Sequence, residues 1–199
     1  MIELDGRCVA IGEAPLNPRV LVYHKPEGEM VTRSDPGGRP TVFERLPPIP
    51  GRKWIAVGRL DINTSGLLLL TDSGELAHHL MHPRFEVERV YAVRVLGALD
   101  ARERTHLLKG VTLEDGTGRF ERIEPFGSAE GANRWYRVSL REGRNREVRR
   151  LFEATGRQVS RLRRERYGPV ELPPDLSPGQ WRELDAGAVS KIVNASKSG

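Results

Sequence analysis

Cysteine is almost absent. Cys8 is the single one in 199 residues, which excludes an internal disulfide and any multi-thiolate metal site and fits a reducing compartment. Long apolar runs are also missing. The longest uninterrupted aliphatic stretch is residues 67–70, far short of the ~20 residues that cross a bilayer. The first ten residues, MIELDGRCVA, hold no apolar core of signal-peptide type. A soluble, cytoplasmic chain with no membrane partner is expected. There is no Walker loop, no GxGxxG and no paired CxxC, so none of the common nucleotide or zinc signatures is offered. Repeats and low-complexity tracts are lacking as well.

Lysine is scarce too, and its scarcity turns attention to arginine. Of 32 basic residues 27 are arginine, against 27 acids, for a net charge of +5. Residues 141–166 contain ten arginines and four glutamates, so that segment is +6 and the remainder is −1. Guanidinium groups bind phosphate through a planar two-donor fork and stack on bases. A polyanion such as nucleic acid is therefore the expected partner, with Arg144, Arg146, Arg150, Arg161 and Arg163 as candidate contacts. The competing reading is a solvated arginine-rich helix face.

The pattern along the chain reads as α+β with a mainly antiparallel sheet, because strands and helices do not alternate regularly. Strands are expected at 20–23, 54–57, 67–70, 87–96, 135–140, 159–167 and 181–184, and a hairpin across 111–126 around Asp115-Gly116. Helices are expected at 42–46 behind Thr41 with Glu44 as its box partner, at 75–81, at 101–109 behind Asp100, and at 146–155 behind an Asn145 cap. Residues 1–15 read as strand, turn at Asp5-Gly6, strand and linker, and are too few to bury a core. The last residues read as frayed.

Residues 57–71, VGRLDINTSGLLLLT, place a polar loop between two buried strands. A rigid scaffold presents a reactive side chain at such a position. A carboxylate there, Asp61, can act as a nucleophile when ionised, and a nearby guanidinium favours that state. An ordinary turn aspartate is the alternative. His78 and His82 have a zinc-compatible spacing, but neither the HExxH glutamate nor an evident third ligand accompanies them.

The run GRLDINTSGLLLLTDSGELAHHLMHP at 58–83 resembles the signature of the RsuA-type pseudouridine synthases. YHKPEGEMVTRSDPGGRPTVFERLP at 23–47, VERVYAVRV at 87–95 and EGRNREVRRLFEATGRQVSRLRRERYGPVELP at 142–173 resemble further segments of that family, in order. The likeness covers roughly residues 19–186 and is nearest to the RluB subgroup, which modifies large-subunit ribosomal RNA. It implies a pseudouridine synthase catalytic fold at 18–187, with a central sheet, flanking helices, two subdomains and a basic RNA-binding cleft. Residues 1–17 would then be a remnant of an S4-like RNA-binding domain with its linker, and 188–199 a flexible tail.

The resemblance also implies roles: Asp61 as nucleophile, Arg59 filling the space left by an extruded nucleotide, Tyr91 stacking on the flipped base, Arg149 pairing with Asp61, and Leu162 lining the pocket. A base inside a duplex is reached only by flipping it out, which suits an aromatic platform. Tyr91 as a core residue, Arg149 as a surface residue and Arg59 as a phosphate contact remain open alternatives. The implied protein is a monomer that isomerises a uridine of 23S rRNA without metal or organic cofactor. Its rivals are a non-catalytic rRNA-binding or ribosome-assembly protein, the same chemistry on small-subunit or transfer RNA, and, more distantly, a metal-dependent nuclease.

Overall fold

The computed structural model describes residues 2–4, 7–9, 18–127 and 132–197. Two short strands, β1 (Ile2–Leu4) and β2 (Arg7–Val9), pair with each other. The expected turn at Asp5-Gly6 and the linker to Pro15 lie outside the described residues, as does most of the proposed S4-like remnant. From residue 18 the chain forms β3 (Val20–Lys25), a 3-10 turn at Val42–Arg45, β4 (Ile55–Ala56), β5 (Ser65–Thr71), helix α1 (Gly74–Met81), β6 (Arg89–Leu96) and helix α2 (Ala101–Lys109). Then come β7 (Val111–Leu113), β8 (Gly116–Gly118), β9 (Arg122–Phe126), β10 (Asn133–Leu140), helix α3 (Glu147–Glu153), β11 (Val159–Tyr167), β12 (Val170–Glu171), β13 (Trp181–Glu183) and helix α4 (Ala186–Lys197).

One nine-stranded sheet organises the molecule, in the order β13-β3-β5-β11-β6-β10-β9, with β4 beside β5 and β12 beside β11. Every pairing is antiparallel except β5 with β11, which is parallel. β5 is covered on both faces, which is why its Leu67–Leu70 run does not alternate with polar residues. Leu67 and Leu69 pack with Val20, Val22 and the apolar stripes of α1 and α4; Leu68 and Leu70 pack with Leu21, Tyr23, Val42 and Trp54 on the other side. On the β6–β10–β11 half, one face carries Tyr91, Val93, Val95, Tyr136, Val138 and Leu162, buried under α2 and α3. The two expected subdomains are thus two halves of one sheet.

The caps follow the chemistry of the sequence in most places. Asp100 accepts from Glu103 N at 2.7 Å, and Glu103 returns a bond to Asp100 N at 2.8 Å. Glu44 accepts from both the N–H and the hydroxyl of Thr41, but only a single 3-10 turn follows before the prolines.

Four expectations need correction. Helix α3 is shorter than 146–155, and its N-cap is Arg146, at φ 49°, not Asn145. Its entry is stabilised instead by Glu147, whose Oε2 accepts from Arg144 N at 3.1 Å. The hairpin ends with β8; β9 crosses to the main sheet and pairs with β10. The strand expected at 54–57 has only two residues, because Trp54 turns into the core and donates to Pro47 O at 2.7 Å. The segment read as a flexible tail holds most of α4, where Asp185 accepts from Ala188 N at 2.8 Å and Val189 and Ile192 are buried beside α1. Among the described residues no helix is long and apolar enough to cross a membrane.

Candidate active site

The loop between β4 and β5 is fixed through its backbone. Four successive carbonyls are each taken by a donor. Lys25 Nζ donates to Asp61 O at 3.1 Å and Thr64 O at 2.8 Å, Gly28 N donates to Ile62 O at 2.7 Å, and Arg149 Nη2 donates to Asn63 O at 2.9 Å. Thr64 N closes the turn onto Asp61 O at 3.0 Å. None of these bonds uses the Asp61 carboxylate, which stays available at the surface of a cleft, its side chain 32% exposed. The turn-aspartate alternative asks that oxygen to be occupied by local backbone amides; its charged neighbour is instead Arg146 Nη1 at 3.8 Å.

Lys25 is fully buried, and its third bond goes to Pro26 O at 2.9 Å. Burial lowers its pKa to about 8, against the raising influence of Glu29, Asp61 and Glu27. Because the folded-state value lies below the unfolded one, the cost of burying the ammonium is fully felt below pH 8. It is relieved as pH rises towards 10.5, where the unfolded chain still holds the proton. Across that window wild type should gain roughly 3 kcal/mol relative to Lys25→Met, read by urea denaturation at stepped pH. Parallel pH profiles for the two proteins would show that Lys25 is not titrating there.

The cleft has a volume of ≈ 610 Å³ and is lined by Arg59, Asp61, Thr64, Tyr91, Leu162 and neighbouring residues. Tyr91 and Leu162 come from adjacent strands, since Tyr91 faces Arg164 and Val93 faces Leu162 across the β6–β11 pair. Both are mostly buried, at 8% and 5% exposure, so Tyr91 belongs to the core and to the cleft wall together. Five arginines line the cleft, Arg59, Arg89, Arg144, Arg146 and Arg164, against the carboxylates of Asp61 and Glu147. Burial raises the pKa of Glu147 above the ordinary carboxylate value, and five guanidinium groups against two carboxylates make the net field of the cleft positive.

The expected Arg149–Asp61 pair is not formed directly. Arg149 lies in the first turn of α3 on its buried side, and its guanidinium donates to Val159 O at 3.0 Å and to Asn63 O. Burial lowers its pKa, Arg146 lowers it further, and the charge of Asp61 opposes both. Arg149 therefore positions the loop from beneath, while Arg146, placed just ahead of the helix by its left-handed backbone, reaches the carboxylate. Arg149→Ala should lower turnover by about 100-fold, as expected for ångström-scale misplacement of a reacting group, with RNA affinity little changed. An equal loss in Kd and in kcat/KM would make Arg149 a phosphate contact only.

Of the expected RNA contacts, Arg144 and Arg146 line the cleft. Arg150 does not: it makes a two-point bond to Asp115 at 2.8 Å on both oxygens. Arg161 and Arg163 point to the opposite face of the sheet, because they alternate with Leu162 and Arg164 along β11. Three lining or supporting residues were missed by sequence reasoning. Arg164 is 2% exposed and donates to Leu67 O at 2.8 Å; Arg89 donates to Tyr167 Oη at 3.1 Å; Lys25 clamps the loop. Strand alternation from Leu162 was the signal for Arg164. His78 and His82 stack edge-on at 5.2 Å, and no group of three or more potential ligands able to hold a metal is present among the described residues.

A family model described as RNA pseudouridylate synthase matches residues 19–154. The ribosomal large subunit pseudouridine synthase B of Yersinia pestis is 58% identical over 192 residues, which are 96% of this chain and 60% of that protein. The protein of the same name from Escherichia coli strain K12 is 59% identical over 185 residues, 92% of this chain and 63% of that one. The chain thus spans about three-fifths of the length of these curated relatives. A crystal structure of a pseudouridylate synthase superposes with a TM-score of 0.75 at 26% identity, covering 88% of this chain and 74% of the other.

Proposed function

The chain belongs to the RNA pseudouridylate synthase family, and from that premise we propose that it isomerises a uridine of large-subunit ribosomal RNA to pseudouridine, with Asp61 as nucleophile. The carrying observation is a carboxylate left free on a loop whose own carbonyls are clamped, at the surface of an arginine-lined cleft. The large subunit is the substrate named for the relatives of nearly 60% identity.

In this reading the arginines of the cleft hold the phosphates beside the target. Arg59, which is exposed at the mouth of the cleft, enters the space vacated by the flipped nucleotide. Tyr91 and Leu162 receive the uracil, a neutral planar ring that suits an aromatic and aliphatic wall. Asp61 bonds covalently to the nucleotide in a transient adduct, and that bond breaks again before the product leaves, restoring the carboxylate. The N1–C1′ bond breaks, the base turns, and a C5–C1′ bond forms. A proton leaves C5 and one is gained at N1, so the product has the atoms of the substrate. The step is neither a redox reaction nor a hydrolysis, and so calls for no metal or organic cofactor. We infer further a cytoplasmic monomer whose activity withstands a strong chelator.

The test is to map pseudouridines in ribosomal RNA from cells with and without the protein, and in an unmodified 23S transcript incubated with it. One site should disappear in the first experiment and appear in the second. Identical maps in both would leave a non-catalytic RNA-binding role.

A further inference from the structure

Among the described residues, the half of the sheet made by β9, β10, β6 and β11 has helices on one face only. On its open face, strand register aligns Phe126, Trp135, Arg94 and Arg161 in one row across four strands, and Glu124, Arg137, Ala92 and Arg163 in the next. Phe126 and Trp135 belong to none of the three core clusters and are half-buried. Their rings lie 5.8 Å apart at 49°, with the Arg94 guanidinium 5.9 Å over Trp135 and that of Arg137 4.8 Å over Phe126.

An antiparallel sheet face with no helix over it among the described residues, carrying two aromatic rings among guanidinium groups, matches the physics of a stacking platform for single-stranded RNA. Rings take bases by their π faces, and arginines take phosphates. The four strands place Arg94, Arg122, Arg137, Arg161, Arg163 and Arg166 on this face with Glu124 and Glu165, and Glu88 at its edge pairs with Arg122 and Arg166. Glu165 ties Arg137 and Arg163 together, and Glu27 comes within 4.0 Å of Arg161. The surplus remains positive, which favours a polyanion over an acid-poor protein surface. A depression of ≈ 260 Å³ bordered by Glu27, Ser65, Phe126, Trp135, Arg161 and Arg163 lies on this face, while the Leu162 side chain between the two arginines is buried towards the cleft side.

We propose that this face, on the side of the sheet away from the cleft wall, is a second RNA-contacting surface that takes single-stranded RNA flanking the target. This rests on the reading of the cleft as an RNA-modifying site. Bases stack on Trp135 and Phe126, and Arg94 and Arg161 hold the intervening phosphates.

The test uses the full chain and a fluorescein-labelled 20-nucleotide single-stranded RNA, followed by anisotropy over a salt series. Phe126→Ala with Trp135→Ala should weaken binding about tenfold or more. Arg94→Glu should weaken it and flatten the salt dependence by about one phosphate contact or more. Trp135→Phe, which keeps a ring on an intact fold, should bind like wild type. With 4-thiouridine in the RNA, photo-crosslinks should fall on residues 122–140 as well as on the cleft. Unchanged affinity in the double variant, or crosslinks confined to the cleft, overturns the proposal. So does a concentration-dependent self-association that the double variant abolishes, since the face would then seat a second copy. The Asp61-dependent chemistry is read separately by pseudouridine formation, so failure of one reading does not mimic failure of the other.

Discussion

Asp61→Asn should abolish pseudouridine formation, lowering turnover by at least about 1,000-fold, the scale seen when a covalent nucleophile is removed. The amide is isosteric but cannot serve as a nucleophile. The loop should keep its shape, because its anchors are carbonyls held by Lys25, Gly28, Thr64 and Arg149, not by the carboxylate. The substitution removes one partly exposed ion pair at 3.8 Å, worth about 0–1 kcal/mol, so the melting temperature should move little. RNA affinity should hold or rise slightly, since a negative charge leaves a cleft that faces phosphates. Release of the C5 hydrogen from tritiated uridine measures the chemistry, and anisotropy measures binding. Turnover within tenfold of wild type would remove Asp61 from its assigned role.

The second large effect is on the scaffold. Gly66→Ala should destabilise the fold by about 4 kcal/mol, placing it among the severe single substitutions. Gly66 has φ +105°, a conformation L side chains rarely adopt. An added Cβ would also lie 2.2 Å from Arg164 O, 2.7 Å from Arg164 N and 2.9 Å from Arg163 Cγ. Two of these are backbone atoms of the parallel β5–β11 pair, where Arg164 is the register partner of Gly66. Relief therefore requires the strands to separate, not a rotamer change. At ~2–4 °C per kcal/mol for a chain of this size, the melting temperature should fall by about 10 °C. Activity should fall with it, because Leu162 and Arg164 sit on one of these strands and the Asp61 loop leads into the other. A melting temperature within 2 °C of wild type would show that the pair absorbs the methyl group.

Features governed by local periodicity were legible in the sequence. β11 spans the expected 159–167, α2 the expected 101–109, and Asp61 sits on the expected polar loop leading into the buried strand β5, although the strand before it is short and half-buried. What escaped depends on contacts between distant segments. Arg149 is drawn from the carboxylate by carbonyls 10 and 86 residues away in sequence. Lys25 carries no local sign of its role, which exists only once the loop carbonyls surround it. The C-terminal segment looks frayed because its polar residues outnumber its anchors; Val189 and Ile192 acquire a partner only when α1 is folded beside them. The alternation that separates Leu162 and Arg164 from Arg161 and Arg163 was visible, but charge density along the segment masked it.

The parallel β5–β11 junction also has a consequence for biosynthesis. It links segments about 97 residues apart, and the strands on either side of it carry opposite walls of the cleft. A nascent chain that has emerged only as far as α3 would own the nucleophile, Tyr91 and the arginines ahead of α3, but neither Leu162 and Arg164 nor the strand that joins the two halves of the sheet. The cleft should therefore be completed late in synthesis, when β11 takes its place between β5 and β6.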